Sequence, residues 1–381
     1  MLHYVWQKAA WPLFAWSADD LAKPLATLRK AQGALRATLN FLGFDENLEV
    51  YGERLEADAL STAKIEGVVL RPEEIRSSIA RHLGLNTAGL KPAPRNVDNL
   101  VLMLLDATHK REPLDEERLF GWHRALFPDG SNGLYRILAG TWRTSAMEVV
   151  SGQFGREKVH FEAVPAEKVP QEMVSFFEWF NEESLKLDGV VRAAVAHLRF
   201  LTIHPFDDGN GRIARAIADM ALAQDDGFSQ RYYSLSQTIL DKKNEYYEIL
   251  EKTQKSDGDI TEWLLWFIGA VQSAVDTSGS LMEDTRFKAE YWRRFEAVVD
   301  VSLRQKKVIN KLFEFGRKGM EGGLTTRKYI GWTKSSRATA WREIEALCQA
   351  GMLRQRGAGG RSTSYELPWP ENTGDKKGRS S

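Results

Sequence analysis

The chain has one cysteine, Cys348, in 381 residues. That excludes internal disulfides and cysteine-ligated zinc, and it fits a reducing compartment. Cys348 lies in "IEALCQAGM", on the apolar side of a helical pattern, and reads as a small buried hydrophobe rather than a nucleophile. Net charge is also missing. Basic and acidic residues number 52 each, so the whole-chain field favours no class of charged partner and only local patches can decide. No run approaches the ~20 apolar residues that a membrane span needs, so no membrane association is expected. The opening "MLHYVWQKAAWPLFAW" has neither a basic n-region nor a long apolar core; no signal peptide is expected, and the cytoplasm is the expected compartment.

What is present is helical periodicity, and the length points to two or three domains. Apolar positions recur at three- and four-residue spacing over 18–42, 46–66, 97–110, 115–127, 168–185, 188–203, 211–224 and 240–253. Trp6, Trp11 and Trp16 match no helix face, so the first residues read as an extended arm or small hairpin with its indoles against the body. "GLNTAGLKPAPRN" at 84–96 reads as a surface loop. In the middle, "MEVV" and "KVHFEAV" flank the turn-forming "SGQFG" and predict a β-hairpin at 147–163, which serves equally as a flap or as plain structure. "DTSGS" at 276–280 reads as a break. Beyond it come a charged helix, further helices at 304–316, 324–331 and 335–350, and the strand-turn-strand "LRQRGAGGRSTSYEL". The expected division is a 1–45 arm and helix, a 46–275 central domain, a 276–300 linker helix, a 301–368 C-terminal domain and a polar, disordered 369–381 tail.

The stretch "TIHPFDDGNGRIARAIADMAL", 202–222, joins two helical patterns through a glycine-rich loop. Successive backbone N–H groups and a helix N-terminus converge on an anion in such a setting. Gly209 and Gly211 let the backbone come close to a phosphate, and Asn210 tolerates the left-handed region and offers an amide donor. Arg212 and Arg215 open the second helix, where a cation opposes the macrodipole unless an anion lies between them; their forked donors suit a di- or triphosphate. Asp208 supplies the hard oxygen that magnesium prefers when it travels with phosphates. His204 is then a base beside a phosphate site, a role worth about 100- to 10,000-fold in rate. As a turn signal or a calcium loop the segment fits poorly, since its flanks are helical and no glutamate follows at the required spacing.

"HPFDDGNGRIAR" resembles the full Fic family signature, His-Pro-Phe-x-(Asp/Glu)-Gly-Asn-Gly-Arg-x-x-Arg, without departure. Similarity extends through "LFGWHRALFP", "GTWR", "VVSG…VHFEAVP" and "AHLRFLTIHPF", over roughly residues 50–270. The resemblance implies a mainly α fold, a Fic helical bundle with a β-hairpin flap, transferring AMP from ATP to a hydroxyl of a protein target or of the chain itself. By the same resemblance His204 is the general base and Asp208 the Mg2+ ligand. Gly209, Asn210 and Gly211 form the anion hole, Arg212 and Arg215 hold the outer phosphates, and the hairpin aligns the target by strand addition. Relatives that act as phosphoryl-kinases carry lysine at the position of Gly211.

"STAKIEG" at 61–67 puts Thr62 and Glu66 on one helix face, with Gly67 suited to the helix end. Glu66 alone is one more surface acid. Beside the signature, Thr62, Glu66 and Gly67 are similar to the family's inhibitory (Ser/Thr)-x-x-x-Glu-(Gly/Asn) motif, placed in a helix over 46–67. That implies an ion pair from Glu66 to Arg215 in the place of the γ-phosphate, and low basal activity. "DKKNEYYEIL" falls where family members contact the nucleoside; Asn244, Tyr247 and Leu250 share a face that lines an adenine pocket or packs into the core.

The C-terminal pattern reads as a winged helix, with Ser335 or Ser336 capping its recognition helix. Lys334, Arg337 and Arg342 lie on or near the exposed side, and Arg354, Arg356 and Arg361 on the wing. Such modules hold DNA or other proteins, and no base-reading pattern is present. Three functions therefore compete: a self-restrained AMP-transferase, a nucleotide-sensing DNA-binding transcriptional regulator, and an enzyme removing AMP with the same residues. Self-association as a homodimer stays open.

Overall fold

The structure is a computed structural model that describes residues 3–40, 44–85, 89–151, 158–226, 231–296, 299–317, 319–356 and 363–370. It falls into two units, Met1–Gly279 and Ser280–Ser381. The first is a mainly helical bundle: α1 (Ala18–Leu39), α2 (Phe44–Ile65), α3 (Pro72–Leu83), α4 (Arg95–His109), α5 (Glu116–Leu126), α6 (Val169–Asn181), α7 (Gly189–Ile203), α8 (Asn210–Asp226), α9 (Leu235–Asp241), α10 (Lys243–Gln254) and the start of α11 (Thr261–Glu296). Between α5 and α6 stands one antiparallel hairpin, β1 (Glu148–Ser151) with β2 (Lys158–Glu162). The expected turn "SGQFG" lies for the most part outside the described residues.

Helices α7 and α8 form the centre. Every residue of α7 is buried, its two arginines included: Arg192 donates to Ser184 Oγ, Gln224 Oε1 and Phe180 O, and Arg199 to Ser175 Oγ. Alanines at 193, 194 and 196 face a second alanine-rich helix, whose Ala214, Ala216, Ala218 and Ala221 are equally buried, so the two backbones come close. The one imidazole inside this core, His197, donates through Nδ1 to the Ala214 carbonyl (3.2 Å) and accepts at Nε2 from the Tyr246 hydroxyl (2.8 Å). It therefore binds α7 to α8 and α10, and it is satisfied without a charge.

Helix α2 is held to α8 by a buried quartet of charges. Arg54 and Asp58 come from α2, Asp219 from α8 and Arg231 from the segment after α8, all of them almost fully enclosed. Arg54 Nε also donates to the Tyr233 carbonyl (3.2 Å), and Ser234 Oγ donates to Asp58. Deleting one member of such a cluster strands a charge, at a cost on the order of 3–5 kcal/mol. The end of α2 is thereby fixed relative to α8.

Three expectations change. The break at 276–280 is not there: α11 is one helix from Thr261 to Glu296. Serine, threonine and glycine are weak helix formers rather than breakers, and Val275 and Met282 on either side are buried, so packing carries the helix through. Helix α3 was not expected, although Pro72 at its first turn, Glu73 and Glu74 behind it, Arg81 and His82 at its end and left-handed Gly84 beyond are ordinary end signals. The arm is neither plainly extended nor a hairpin; it holds a 3-10 turn at Val5–Gln7, closed by Gln7 Oε1 accepting from the backbone of His3 and Tyr4.

The second unit contains the end of α11, then α12 (Leu303–Phe313), α13 (Thr326–Thr333), α14 (Arg337–Gln349) and an antiparallel pair, β3 (Arg354–Arg356) and β4 (Ser364–Glu366). Its core gathers Tyr291, Val308, Leu312, Tyr329, Ile344 and Leu353. Cys348 is half-buried against that core, and burial pushes its thiol up, in keeping with an unreactive side chain. Ser336 caps α14, its Oγ accepting from Thr339 N (3.2 Å). Arg337 and Arg342 are exposed, but the wing arginines Arg354 and Arg356 are both paired with Glu366 (2.7 and 3.0 Å). Arg361 and residues 371–381 lie outside the described residues.

Candidate functional site

The loop between α7 and α8 is built by backbone bonding. His204 ends α7 with φ 52° and ψ 60°, the left-handed conformation that turns the chain out of the helix. Phe206 is buried, and Asn210 closes the loop beneath it: its Oδ1 accepts from Phe206 N (3.0 Å) and its Nδ2 donates to Phe206 O (2.7 Å). Both ends of the Asn210 side-chain amide are thus engaged in closing the turn. Its backbone N–H, with those of Gly211 and Arg212, belongs to the first turn of α8, where helix amides have no acceptor within the helix. Gly209 has φ 82°, and a Cβ there would meet Phe127 Cε2 at 2.9 Å, so only glycine fits.

The imidazole of His204 donates through Nδ1 to the Leu201 carbonyl (3.2 Å). A carbonyl can only accept, so the proton sits on Nδ1 and Nε2 keeps its lone pair. Burial pushes the ring down to about 4, so it is neutral at pH 7. A cavity of about 410 Å³ is lined by His204, Asp208, Gly209–Gly211, Arg215 and Glu66, with β1 and Tyr247 on its other walls. Asp208 holds its carboxylate between Asn132 Nδ2 (2.8 Å to Oδ2) and its neighbour's amide, Gly209 N (2.5 Å to Oδ1). Arg212 lies over the Phe127 ring (5.0 Å) and 3.7 Å from Asp208; its Nε is buried with no acceptor among the described residues, and burial pulls its guanidinium below the usual range. A buried donor of this kind is what an anion would satisfy.

Arg215 points at the end of α2. Its Nε donates to Thr62 Oγ1 (2.8 Å), and its terminal nitrogen donates to Thr62 O (3.1 Å) and Glu66 Oε1 (2.7 Å). Gly67, with φ 76°, and Lys243 Nζ bonded to Ile65 O (2.6 Å) finish the helix and leave Glu66 just beyond it. The Glu66 carboxylate lies so near α8 that a Cβ on Gly211 would meet Oε1 at 2.2 Å. The sequence therefore brings Thr62, Glu66, His204, Asp208, Gly209, Gly211, Arg212 and Arg215 to one place. Tyr247 and Leu250 reach the same cavity and an adjoining one of about 580 Å³ under the hairpin, which Asn244 also lines.

Two residues that shape the site were not singled out. Arg143 buries its guanidinium against four carbonyls: His204 (2.7 Å), Ser145 (2.7 Å), Ile203 (3.3 Å) and Val164. It thus joins both ends of the hairpin segment to the loop between α7 and α8. His123 accepts at Nδ1 from Gly140 N (2.9 Å) and donates through Nε2 to the Asp208 carbonyl (3.2 Å), stacked on Phe206 at 4.1 Å. Burial holds it down to about 4. Both lie in stretches that carried the resemblance, but their partners are main-chain atoms, which no residue pattern reveals.

Residues 113–222 match the model of the Fic/DOC family, and residues 4–85 match a domain of unknown function, DUF4172. The chain is a Fic/DOC family protein with an N-terminal DUF4172 domain. It is similar to "Protein adenylyltransferase fic-1" of Caenorhabditis elegans, 40% identical over 63 residues, 16% of this chain and 12% of that protein. It also resembles the "Uridine 5'-monophosphate transferase" of Xanthomonas campestris pv. campestris (strain 8004), 29% identical over 116 residues, 29% of this chain and 21% of the other. The chain thus spans only a small part of the curated relatives it matches. Among solved structures, a Fic family protein from Desulfovibrio desulfuricans G20 superposes with TM-score 0.54 at 19% identity, covering 93% of this chain and 98% of that one. A Fic domain containing signaling protein from Bacteroides thetaiotaomicron VPI-5482 does so at 0.52 and 23% identity, covering 68% of this chain and 96% of the other. These likenesses establish the fold: mainly helical, with a small hairpin. No helix among the described residues is long and apolar enough to cross a membrane.

Proposed function

We propose that this protein is a nucleotidyltransferase that moves AMP from ATP to a hydroxyl of a protein, its own chain included, and that Glu66 restrains it. The observation that carries the reading is the single cavity in which a neutral imidazole with a lone pair on Nε2 faces an anion cradle. The acceptor hydroxyl passes its proton to Nε2 of His204 while its oxygen attacks the α-phosphorus. The new O–P bond forms as the bond to the β-phosphate bridging oxygen breaks, and pyrophosphate leaves. The amides at the start of α8 bind the phosphates, Arg212 and Arg215 take the charge of the outer ones, and Tyr247 stands at the nucleoside side.

Asp208 fits a magnesium ion: one hard carboxylate facing the cavity suits a cation that arrives with substrate phosphates, and among the described residues no group of three or more acids, histidines or cysteines forms a self-sufficient site. When bound, the ion neutralises phosphate charge and helps orient it.

Glu66 occupies Arg215 where an outer phosphate would go. A nucleotide can still enter, but with its tail displaced, and a misplacement on the order of 1 Å can cost ~100-fold. Glu66→Gly should raise incorporation of label from [α-32P]ATP by about that factor. Adding His204→Ala should return it to background. Equal labelling by wild type and Glu66→Gly removes the restraint, and strong labelling by the double variant removes the catalytic assignment. Parallel reactions with labelled UTP decide the nucleotide, since one similar protein is named for UMP transfer.

The three helices and terminal strand pair of the second unit support a winged-helix reading, strengthened by Leu324, between α12 and α13, exchanging backbone bonds with Tyr365 of β4 (2.8 Å each). The engaged wing arginines leave Arg337 and Arg342 as its exposed cations on α14, which favours protein contact over DNA.

A further inference from the structure

The tryptophan-rich start of the chain has no part in the chemistry above, yet it is fastened to the hairpin. Trp6 Nε1 donates to the Glu162 carbonyl at the end of β2 (2.8 Å). Tyr4 is buried edge-on against Phe161 of β2, ring centroids 5.2 Å apart at 83°, in a small separate core with Ala163 and Met147. The rest of the arm is anchored in turn. Trp11 Nε1 donates to Glu172 of α6 (3.0 Å), and Ala15 exchanges backbone bonds with the chain before α11, donating to Gly258 O (3.0 Å) and accepting from Ile260 N (2.9 Å).

The direction of the Glu162 carbonyl gives this contact its meaning. Ala163 N donates to Met147 O (3.0 Å), so the Met147–Ala163 pair carries ladder bonds between the two strands. The adjacent residue in β2 must then turn its N–H and C=O the other way, toward the outer edge. Trp6 takes that outer carbonyl. On the same strand His160 Nδ1 pairs with Glu251 of α10 (2.6 Å). The β2 side is therefore tied down, whereas Glu148, Val149 and Val150 of β1 line the cavity that holds His204. Val149 and Val150 remain substantially exposed there. An unpaired strand edge accepts another strand unless something covers it.

We propose that the N-terminal segment Tyr4–Trp6 is a brace for the hairpin. It closes the outer edge of β2 and holds β1 over the cavity, so that an extended acceptor segment can join only at the β1 edge, next to His204. The inference rests on the transferase reading for its consequence, though not for its geometry. Trp6 is thus a positioning residue, not a catalytic one, and this part of the DUF4172 domain contributes acceptor alignment.

The test uses the full chain carrying Glu66→Gly, alone and with Trp6→Phe or Trp6→Ala; phenylalanine retains a ring while deleting the donor. Amide hydrogen exchange of β1 and β2 is measured against α7 as internal control, together with Mg-ATP affinity and incorporation of labelled AMP into the chain. Loss of the bond and its packing should speed hairpin exchange by roughly tenfold in Trp6→Ala and less in Trp6→Phe, with α7 unchanged. Labelling should fall about as far while ATP affinity stays within about twofold, because one held edge serves the acceptor and not the nucleotide. Unchanged hairpin exchange overturns the brace. So does faster exchange with undiminished labelling, or a loss of ATP affinity that matches the loss of labelling. If no variant labels at all, the transferase reading fails instead, and hairpin exchange alone decides whether the brace exists.

Discussion

His204 is held in a conformation that non-glycine residues avoid, at a cost on the order of 1–2 kcal/mol, and the residues around it supply the compensation. Arg143 binds its carbonyl and that of Ile203, so the end of α7 is capped by a cation where the helix dipole is negative. Nearby imidazoles are kept neutral by burial, which gives a pH dependence whose sign follows directly. His123 and His197 are fully enclosed and pushed down to about 4 and about 3, and His109 and His204 are lowered as well. In the unfolded chain these rings take up protons near pH 6.5. Below that value the unfolded state binds more protons than the folded one, so their contribution is complete above about pH 6.5 and is lost as pH falls toward 4. Each of His123 and His197 contributes about 1.4 kcal/mol per pH unit in that window. Buried Asp219 and Asp226, pushed up by desolvation, act in the opposite sense and offset part of the slope. Urea unfolding at pH 7, 6 and 5 should show a declining midpoint; a midpoint that rises toward pH 5 contradicts the neutral assignment.

At the scale of elements, α11 offers the most direct check. Gly279 lies inside that helix, and a Cβ there meets nothing within 4 Å. Gly279→Ala should therefore stabilise the protein by about 0.5–1 kcal/mol, read as a rise in melting temperature; no gain would mean that the helix is interrupted there after all. The sequence misled at this point because glycine and serine between charged residues look like a linker, whereas Val275 and Met282 on either side are buried, which local composition does not show. By contrast, the α7–loop–α8 junction was legible, since each fixed residue type there serves a local demand: a left-handed turn, an unobstructed amide, a cation at an anion. Glu66 was legible only through its resemblance to the family's inhibitory motif, since by itself it reads as one more surface acid. What stayed hidden was bonding to the main chain, as with Arg143, His123 and the side chain of Asn210, whose acceptors and donors are present in any sequence.

For the whole molecule, balanced charge means that any nucleic-acid affinity must come from a local patch, and the winged-helix reading points to the second unit. If DNA contacts rest on Arg337 and Arg342 alone, log K should fall with log salt at a slope of about −2. A gel-shift titration with a markedly steeper slope would show that further cations reach phosphate, exposed Lys334 or the wing arginines Arg354 and Arg356 released from Glu366 among them. In the first unit, the buried quartet holds α2 to α8, and Arg215 makes two bonds to Thr62 that do not involve Glu66. Lifting the proposed restraint then asks for no helix to depart: one carboxylate swings aside while the guanidinium stays aimed. Rotation of a single side chain takes picoseconds to nanoseconds, so the trigger is mechanically light, and an activating signal has to bias a rotamer rather than dismantle a domain.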